Sequence, residues 1–297
     1  MKINSASEFR FIAHRLGFHM TQFPENSLAN LEIIFNDPEL LKVSDGFEFD
    51  ICFTKDNVPV VIHDRMIDDV SDGTGRVKRL GFNDIAKHRY GYRKSTYNSE
   101  VTWDSNQTYD LNKLTCFLDF FNNNKNLLKE KQIKIETKQR NTSFANLKEL
   151  NKILENYPLL HDNIVHLSFW PANLWKLKQI QRKNNSPITF AEILIDFKIF
   201  TPLMYLPFID GVSLGTKQNI KKGGKRIKLI GIAKRNAASF CNMERAIKRF
   251  GAVGVYVIDE NNLSDWLSDK PLEFIEKNAK NIVITTNNPL ILRRKLK

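Results

Sequence analysis

Long apolar runs are missing from this sequence. Its apolar stretches are strand-sized, well short of the roughly 20 residues that a membrane-spanning helix needs. Cysteine is scarce as well. The three present, Cys52, Cys116 and Cys241, are odd in number, widely scattered and free of CxxC spacing, which argues against a disulfide framework and against a zinc knuckle. The opening residues, Met1 to Phe9, have no apolar segment of the kind a secretory signal requires. Internal repeats, low-complexity tracts and linker-like composition are also lacking. The expectation is one domain over residues 1–297 with no transmembrane segment, working in a reducing cytoplasm.

What is present suffices for a folded core: 42% of residues are apolar and 26% charged. The formal net charge of +12 suits a nucleic acid, an anionic surface or a polyanionic substrate without choosing among them. The basic clusters Lys221-Lys222, Lys225-Arg226, Lys234-Arg235 and Arg293 to Lys297 read as solvated faces and loops. Nucleic acid is not the expected partner.

Strand-length apolar runs alternate with segments of helical period. The runs are Phe9 to Ala13, Gly46 to Cys52, Val58 to Ile62, Gln132 to Thr137, Ile164 to Phe169, Ile188 to Leu194, Ile209 to Leu214, Ala252 to Ile258 and Ile282 to Thr286. The helical segments include Ser27 to Leu41, Leu114 to Asn123, Ser143 to Asn156, Pro171 to Arg182, Ala237 to Phe250 and Leu263 to Asn278. Such alternation implies a parallel sheet. Val58 to Ile62 follows its predecessor too closely to be parallel, so Asp56-Asn57 is expected to form a hairpin turn that sets Asp50 opposite His63. The remaining eight strands are the number that closes a (β/α)8 barrel, whose site lies at the strand C-termini. Residues 64–110, with four glycines and many charges, read as an insertion.

Chemistry-bearing residues recur at those strand ends. His14-Arg15 follows the first strand, and Pro24-Glu25-Asn26-Ser27 opens a helix, with Asn26 or Ser27 as its cap. In Phe47-Glu48-Phe49-Asp50 the period of two puts both carboxylates on one face. They repel unless a cation or protons intervene, and paired oxygen donors suit Mg²⁺ or Ca²⁺ rather than zinc. Val60-Val61-Ile62-His63-Asp64 delivers a second histidine. Glu136 and Lys138 share a face with Lys134, whose partner the sequence leaves open.

The combination resembles the glycerophosphodiester phosphodiesterase family. The matching segments are His14-Arg15, Pro24-Glu25-Asn26-Ser27, Glu48-Phe49-Asp50, Thr54-Lys55-Asp56-Asn57, Val61-Ile62-His63-Asp64 and Glu136-Thr137-Lys138, and the likeness runs on to Thr286-Asn287-Asn288-Pro289. It implies that His14 and His63 are the acid and base. By the same resemblance Glu48, Asp50 and Glu136 hold a divalent metal, Mg²⁺ or Ca²⁺, and Arg15 and Lys138 contact the phosphate of a small-molecule or lipid-derived phosphodiester. Three departures stand out: Leu16 replaces the family's glycine, Val255 to Asp259 replaces its Trp-Thr strand end, and Asn287 replaces its aspartate. A lyase acting on lysophospholipids, a glycerol-phosphate polymer as substrate, and a catalytically silent phosphate-binding barrel are the alternatives.

Overall fold

The computed structural model describes residues 5–92, 108–216, 237–268 and 270–296. Eleven strands are assigned there. They are β1 (Arg10–Ala13), β2 (Gly46–Phe53), β3 (Pro59–Val61), β4 (Arg89–Tyr90), β5 (Tyr109–Asp110), β6 (Gln132–Thr137), β7 (Ile164–Ser168), β8 (Phe190–Ile195), β9 (Gly211–Gly215), β10 (Val253–Tyr256) and β11 (Ile282–Thr286). The helices are α1 (Leu28–Asn36), α2 (Pro38–Val43), α3 (Phe82–Ala86), α4 (Leu114–Asn123), α5 (Lys125–Leu128), α6 (Phe144–Glu155), α7 (Pro171–Asn184), α8 (Phe240–Phe250), α9 (Leu263–Ser268), α10 (Leu272–Asn278) and α11 (Pro289–Leu296). No helix among the described residues is long and apolar enough to cross a membrane.

Strands β1, β2, β6, β7, β8, β9, β10 and β11 are parallel neighbours in a ring that β1 closes by pairing with both β11 and β2. The molecule is thus a (β/α)8 barrel. Alternation along each strand splits its side chains between lumen and helical shell. The outer face of β2 carries Phe47, Phe49, Ile51 and Phe53, which join the core under α1, α4 and α6; the Phe35 and Phe47 rings are 5.4 Å apart, and Phe49 stacks on Phe117 at 5.5 Å. Glu48 and Asp50 therefore face the lumen. The lumen is closed below them partly by charge: Lys134 Nζ lies 2.7 Å from Glu192 Oε2, and Glu192 accepts a further hydrogen bond from Ser213. The partner of Lys134 that the sequence left open is Glu192.

Where β1 meets β2, Gly46 is required by sterics. A Cβ there would stand 2.5 Å from the carbonyl oxygen of Gln132, so no larger residue fits without moving backbone.

Four sequence expectations need correction. β3 pairs Ile51 with Val61, Cys52 with Val60 and Phe53 with Pro59, one residue away from the expected register. Asp50 stands opposite Ile62, whose amide donates to the Asp50 carbonyl at 2.9 Å, and His63 lies one residue further on. A two-residue turn would need positive φ at Asp56, with Asn57 positive as well in type I′. Only Asn57 adopts it, at 64°, giving a three-residue loop closed by Thr54 N to Val58 O at 3.0 Å.

The segment Ser27 to Leu41 is two helices, because the residue before proline is pushed out of the helical region. Asp37 ends α1 and caps α2 through Oδ1, which accepts from the amides of Glu39 and Leu40 at 2.8 and 3.2 Å. Pro271 likewise separates α9 from α10 within Leu263 to Asn278.

The described part of the 64–110 segment packs Ile67, Val70, Val77, Ile85 and Tyr90 against Cys52, Val60 and Ile62. It is a small core laid over the hairpin arm. The clusters Lys221-Lys222, Lys225-Arg226 and Lys234-Arg235 lie outside the described residues.

Candidate active site

The chain leaves β1 through a tight turn in which Arg15, Leu16 and Gly17 take φ of 47°, 65° and 67°. That turn aims the Arg15 amide at Glu48, with N to Oε2 at 3.0 Å, and brings His14 Nε2 to 3.9 Å from the same oxygen. The Arg15 guanidinium reaches two carboxylates, Glu25 Oε2 at 2.6 Å and Asp50 Oδ2 at 3.6 Å.

The Pro24-Glu25-Asn26-Ser27 segment does more than start a helix. Glu25 anchors Arg15. Asn26 donates from Nδ2 to Asp50 Oδ2 at 3.0 Å and accepts from the Asp50 amide at 3.2 Å. No side chain caps α1. Sequence reading missed both support roles, since the motif has the composition of an ordinary cap; the left-handed φ of 59° at Asn26 becomes visible only in the structure.

β6 lies beside β2 in a register that sets Glu136 level with Asp50. Lys138, two residues on, places Nζ 2.8 Å from Glu136 Oε2 and 3.0 Å from Asp50 Oδ1. Glu48, Asp50 and Glu136 each offer an oxygen within 4.8 Å of the others, and all three are buried. Six of the seven residues expected at the site, His14, Arg15, Glu48, Asp50, Glu136 and Lys138, are thereby joined in one network. His63 is positioned by the return of the hairpin, with Nδ1 2.8 Å from Asp64 Oδ1.

Electrostatics mark the trio as incomplete. Burial, reinforced by the charges of Asp50 and Glu136, pushes the Glu48 carboxyl well above the usual carboxylate range. Burial also lifts Glu136 to about 7. On Asp50 burial acts in the same sense, but Lys138 and Arg15 outweigh it and hold the group low. Burial and then Arg15 bring His14 down to about 4. Glu48 Oε1 and Glu136 Oε1 are buried and accept no hydrogen bond among the described residues. Clustered hard oxygen donors with unmet acceptor capacity fit a divalent cation such as Mg²⁺ or Ca²⁺.

Two residues that the sequence showed only as departures complete the surroundings. Asn287 Oδ1 lies 2.6 Å from His14 Nδ1, and Asp259 holds the Asn287 amide group, with Nδ2 to Oδ2 at 2.9 Å. His88, His161 and His166 lie outside the network, His166 buried beside Thr137 at 2.9 Å. At the hairpin loop, a groove of about 620 Å³ bordered by Thr54 and Asn57 has Lys55, Arg65, Arg76, Lys78 and Arg140 as the charged residues of an otherwise mostly neutral polar lining.

Comparison with known proteins adds lineage to geometry. A family model described as the glycerophosphoryl diester phosphodiesterase family matches residues 19–192, more than half of the chain. Glycerophosphodiester phosphodiesterase 1 of Homo sapiens is 30% identical over 179 residues, covering 58% of this chain and 46% of the human protein. The Bos taurus protein of the same name is 30% identical over 176 residues, 57% of this chain and 45% of that one. The chain spans about half the length of these curated relatives. Among solved structures, a glycerophosphodiester phosphodiesterase from Agrobacterium tumefaciens superposes with a TM-score of 0.62 at 15% identity, covering 96% of this chain and 99% of that one. An Oleispira antarctica phosphodiesterase, solved with its product sn-glycerol-3-phosphate, gives 0.59 at 13% identity over 96% and 95%. At such identities the structural likeness establishes the barrel fold and no more.

Proposed function

The chain belongs to the glycerophosphoryl diester phosphodiesterase family, and from that premise we propose that it hydrolyses glycerophosphodiesters to glycerol 3-phosphate and an alcohol. The observation that carries this reading is the buried carboxylate trio with Arg15 and Lys138 in its wall and His14 Nε2 3.9 Å from Glu48. A phosphodiester anion resists attack until its charge is offset. Arg15 and Lys138 supply fixed positive groups where negative charge builds up, which is the most effective place for them in a water-poor site. A divalent cation held by Glu48, Asp50 and Glu136 would add charge neutralisation at the phosphate.

The reaction needs one proton taken from the attacking hydroxyl and one given to the leaving alcohol. Imidazoles suit both, since their unperturbed pKa of about 6.5 lies near neutrality, and His14 and His63 are assigned the two roles. In the family the substrate's own neighbouring hydroxyl attacks first, and water then opens the cyclic phosphate; the same order is proposed here. Residues 1–297 are proposed to form one domain carrying the 64–110 insertion, at work in the cytoplasm.

A second reading keeps the site and lengthens the substrate. The basic groove lined by Lys55, Arg65, Arg76, Lys78 and Arg140 favours a polyanionic chain of glycerol phosphates.

The test is hydrolysis of a panel of glycerophosphodiesters with and without a chelator, by the wild type and by His14→Ala. Metal-dependent release of glycerol 3-phosphate that the substitution abolishes is expected. No turnover with either Mg²⁺ or Ca²⁺ overturns the small-substrate reading; cyclic phosphate as the sole product makes the protein a lyase.

A further inference from the structure

The amide of an asparagine can be turned either way, so which atom faces His14 is fixed by hydrogen-bonding chemistry rather than by shape. Asp259 fixes it. Its Oδ1 accepts from the Thr286 hydroxyl at 3.1 Å and from the Asn287 backbone amide at 3.0 Å, and its Oδ2 accepts from Asn287 Nδ2 at 2.9 Å. Because a carboxylate accepts, the NH₂ of Asn287 has to face Asp259 and the carbonyl oxygen has to face His14. That oxygen lies 2.6 Å from His14 Nδ1 and accepts only, so the neutral ring carries its hydrogen on Nδ1. The lone pair of Nε2 is left pointing toward the site, 3.9 Å from Glu48 Oε2. Asp259 is itself anchored by Asn262, which accepts from the Asp259 amide at 2.9 Å and donates to the Val257 carbonyl at 2.9 Å.

We infer that Asp259 and Asn287 are positioning residues that lock His14 in the Nδ1–H tautomer, so that His14 Nε2 takes the first proton of the reaction. The inference rests on the hydrolysis proposed above. In its first step the substrate hydroxyl loses its proton to His14 Nε2 as its oxygen bonds to phosphorus, and the P–O bond to the alcohol breaks. The departing oxygen takes a proton from His63. In the second step water gives a proton to His63 as its oxygen attacks phosphorus, and the ring P–O bond breaks with a proton returned from His14. Both rings end as they began, and no redox partner is needed. Throughout, the hydrogen stays on His14 Nδ1 and is donated to Asn287 Oδ1, as a positioning bond requires.

The tautomer can be read without turnover, from ¹⁵N shifts of histidine-labelled protein, so a chain that cleaves no glycerophosphodiester still decides this point. His14 of the wild type is expected to show protonated Nδ1 and bare Nε2. Asp259→Asn gives residue 259 a donor and frees the Asn287 amide to turn. The His14 signals are then expected to shift toward the other tautomer, and kcat to fall at least about tenfold with KM little changed, as for partial loss of a positioned acid–base group. The double variant D259N/N287D exchanges amide and carboxylate, again offers His14 Nδ1 an acceptor, and is expected to recover most of that loss. A wild-type ring protonated on Nε2 overturns the inference. So does a D259N variant with unchanged ¹⁵N pattern and kcat, or an exchange variant that recovers nothing. Should D259N fail to fold, the wild-type ¹⁵N pattern decides alone.

Discussion

Lys138 Nζ stands 3.0 Å from Asp50 Oδ1, which is also where a divalent cation held by the trio would have to reach. The same ammonium lies 2.8 Å from Glu136 Oε2. The lysine thus offsets the negative charge of the pocket, and a cation bound by the trio would have to compete with it.

Lys138→Met separates those two effects. Removing a positive charge from beside the ligand oxygens is expected to tighten Mg²⁺ or Ca²⁺ binding, read by titration calorimetry at pH 8. Turnover is expected to fall by about 10²-fold or more, since a cation facing the developing phosphate charge is gone. Weaker cation binding in the variant would show that Lys138 supports the carboxylates instead of competing.

Glu48→Gln tests whether the trio is held together at the expense of stability. The wild-type group is buried, keeps one oxygen without a hydrogen bond, and has its pKa pushed well up. With a chelator present, the glutamine variant is expected to melt a few degrees above the wild type, as substitutions that relieve a strained active site commonly do. With cation added, the order should reverse, and hydrolysis should be lost. A lower melting temperature in chelator would mean that the carboxylate is well satisfied as it stands.

His166 gives a pH dependence away from the site. Burial lowers its pKa from 6.5 to about 4, so between those values the unfolded chain binds the extra proton and the folded one does not. Stability is complete above the unfolded pKa and drops as pH falls through this window, by roughly 3 kcal/mol at the acid end. Urea titrations of wild type and His166→Gln from pH 4 to 7.5 should show a flatter profile in the variant. Parallel profiles would remove His166 as the cause.

Leu16→Gly sets two known costs against each other. Leucine at φ 65° sacrifices about 1–2 kcal/mol to left-handed strain. Its side chain is fully buried among Ala13, Leu31 and Ile34, and deleting such a group costs about 2–5 kcal/mol. Burial wins, so the variant is expected to unfold at lower urea although glycine is the residue the family resemblance leads one to expect. A gain in stability would mean that strain outweighs packing at this turn.

The barrel was legible because its information is local and redundant. Gln132–Thr137 and Ile282–Thr286 were bounded correctly as short runs of strand length, and Glu48 and Asp50 shared a face by period two. Asp37 before Pro38, and Pro271, break two segments of helical period, and both breaks are marked in the sequence by proline. The hairpin register was not legible, since it turns on the sign of φ at Asp56, which composition does not encode. Glu25, Asn26, Asp259 and Asn287 were missed for a different reason. Each acts by orienting another side chain across 10 to 273 positions of sequence, and no spacing rule reaches that far.

The ring closes weakly at one joint. β1 and β2 pair at only two positions, Ile12 with Gly46 and Ala13 with Phe47, against six between β2 and β6, and the next residues on either side of that joint are His14 and Glu48. Sub-global opening begins where a ladder is shortest, and here it would part His14 from Glu48 while most of the barrel stays whole. Amides at the joint should then exchange with deuterated water ahead of those in β6 and β7, and heat should extinguish catalysis before it melts the fold.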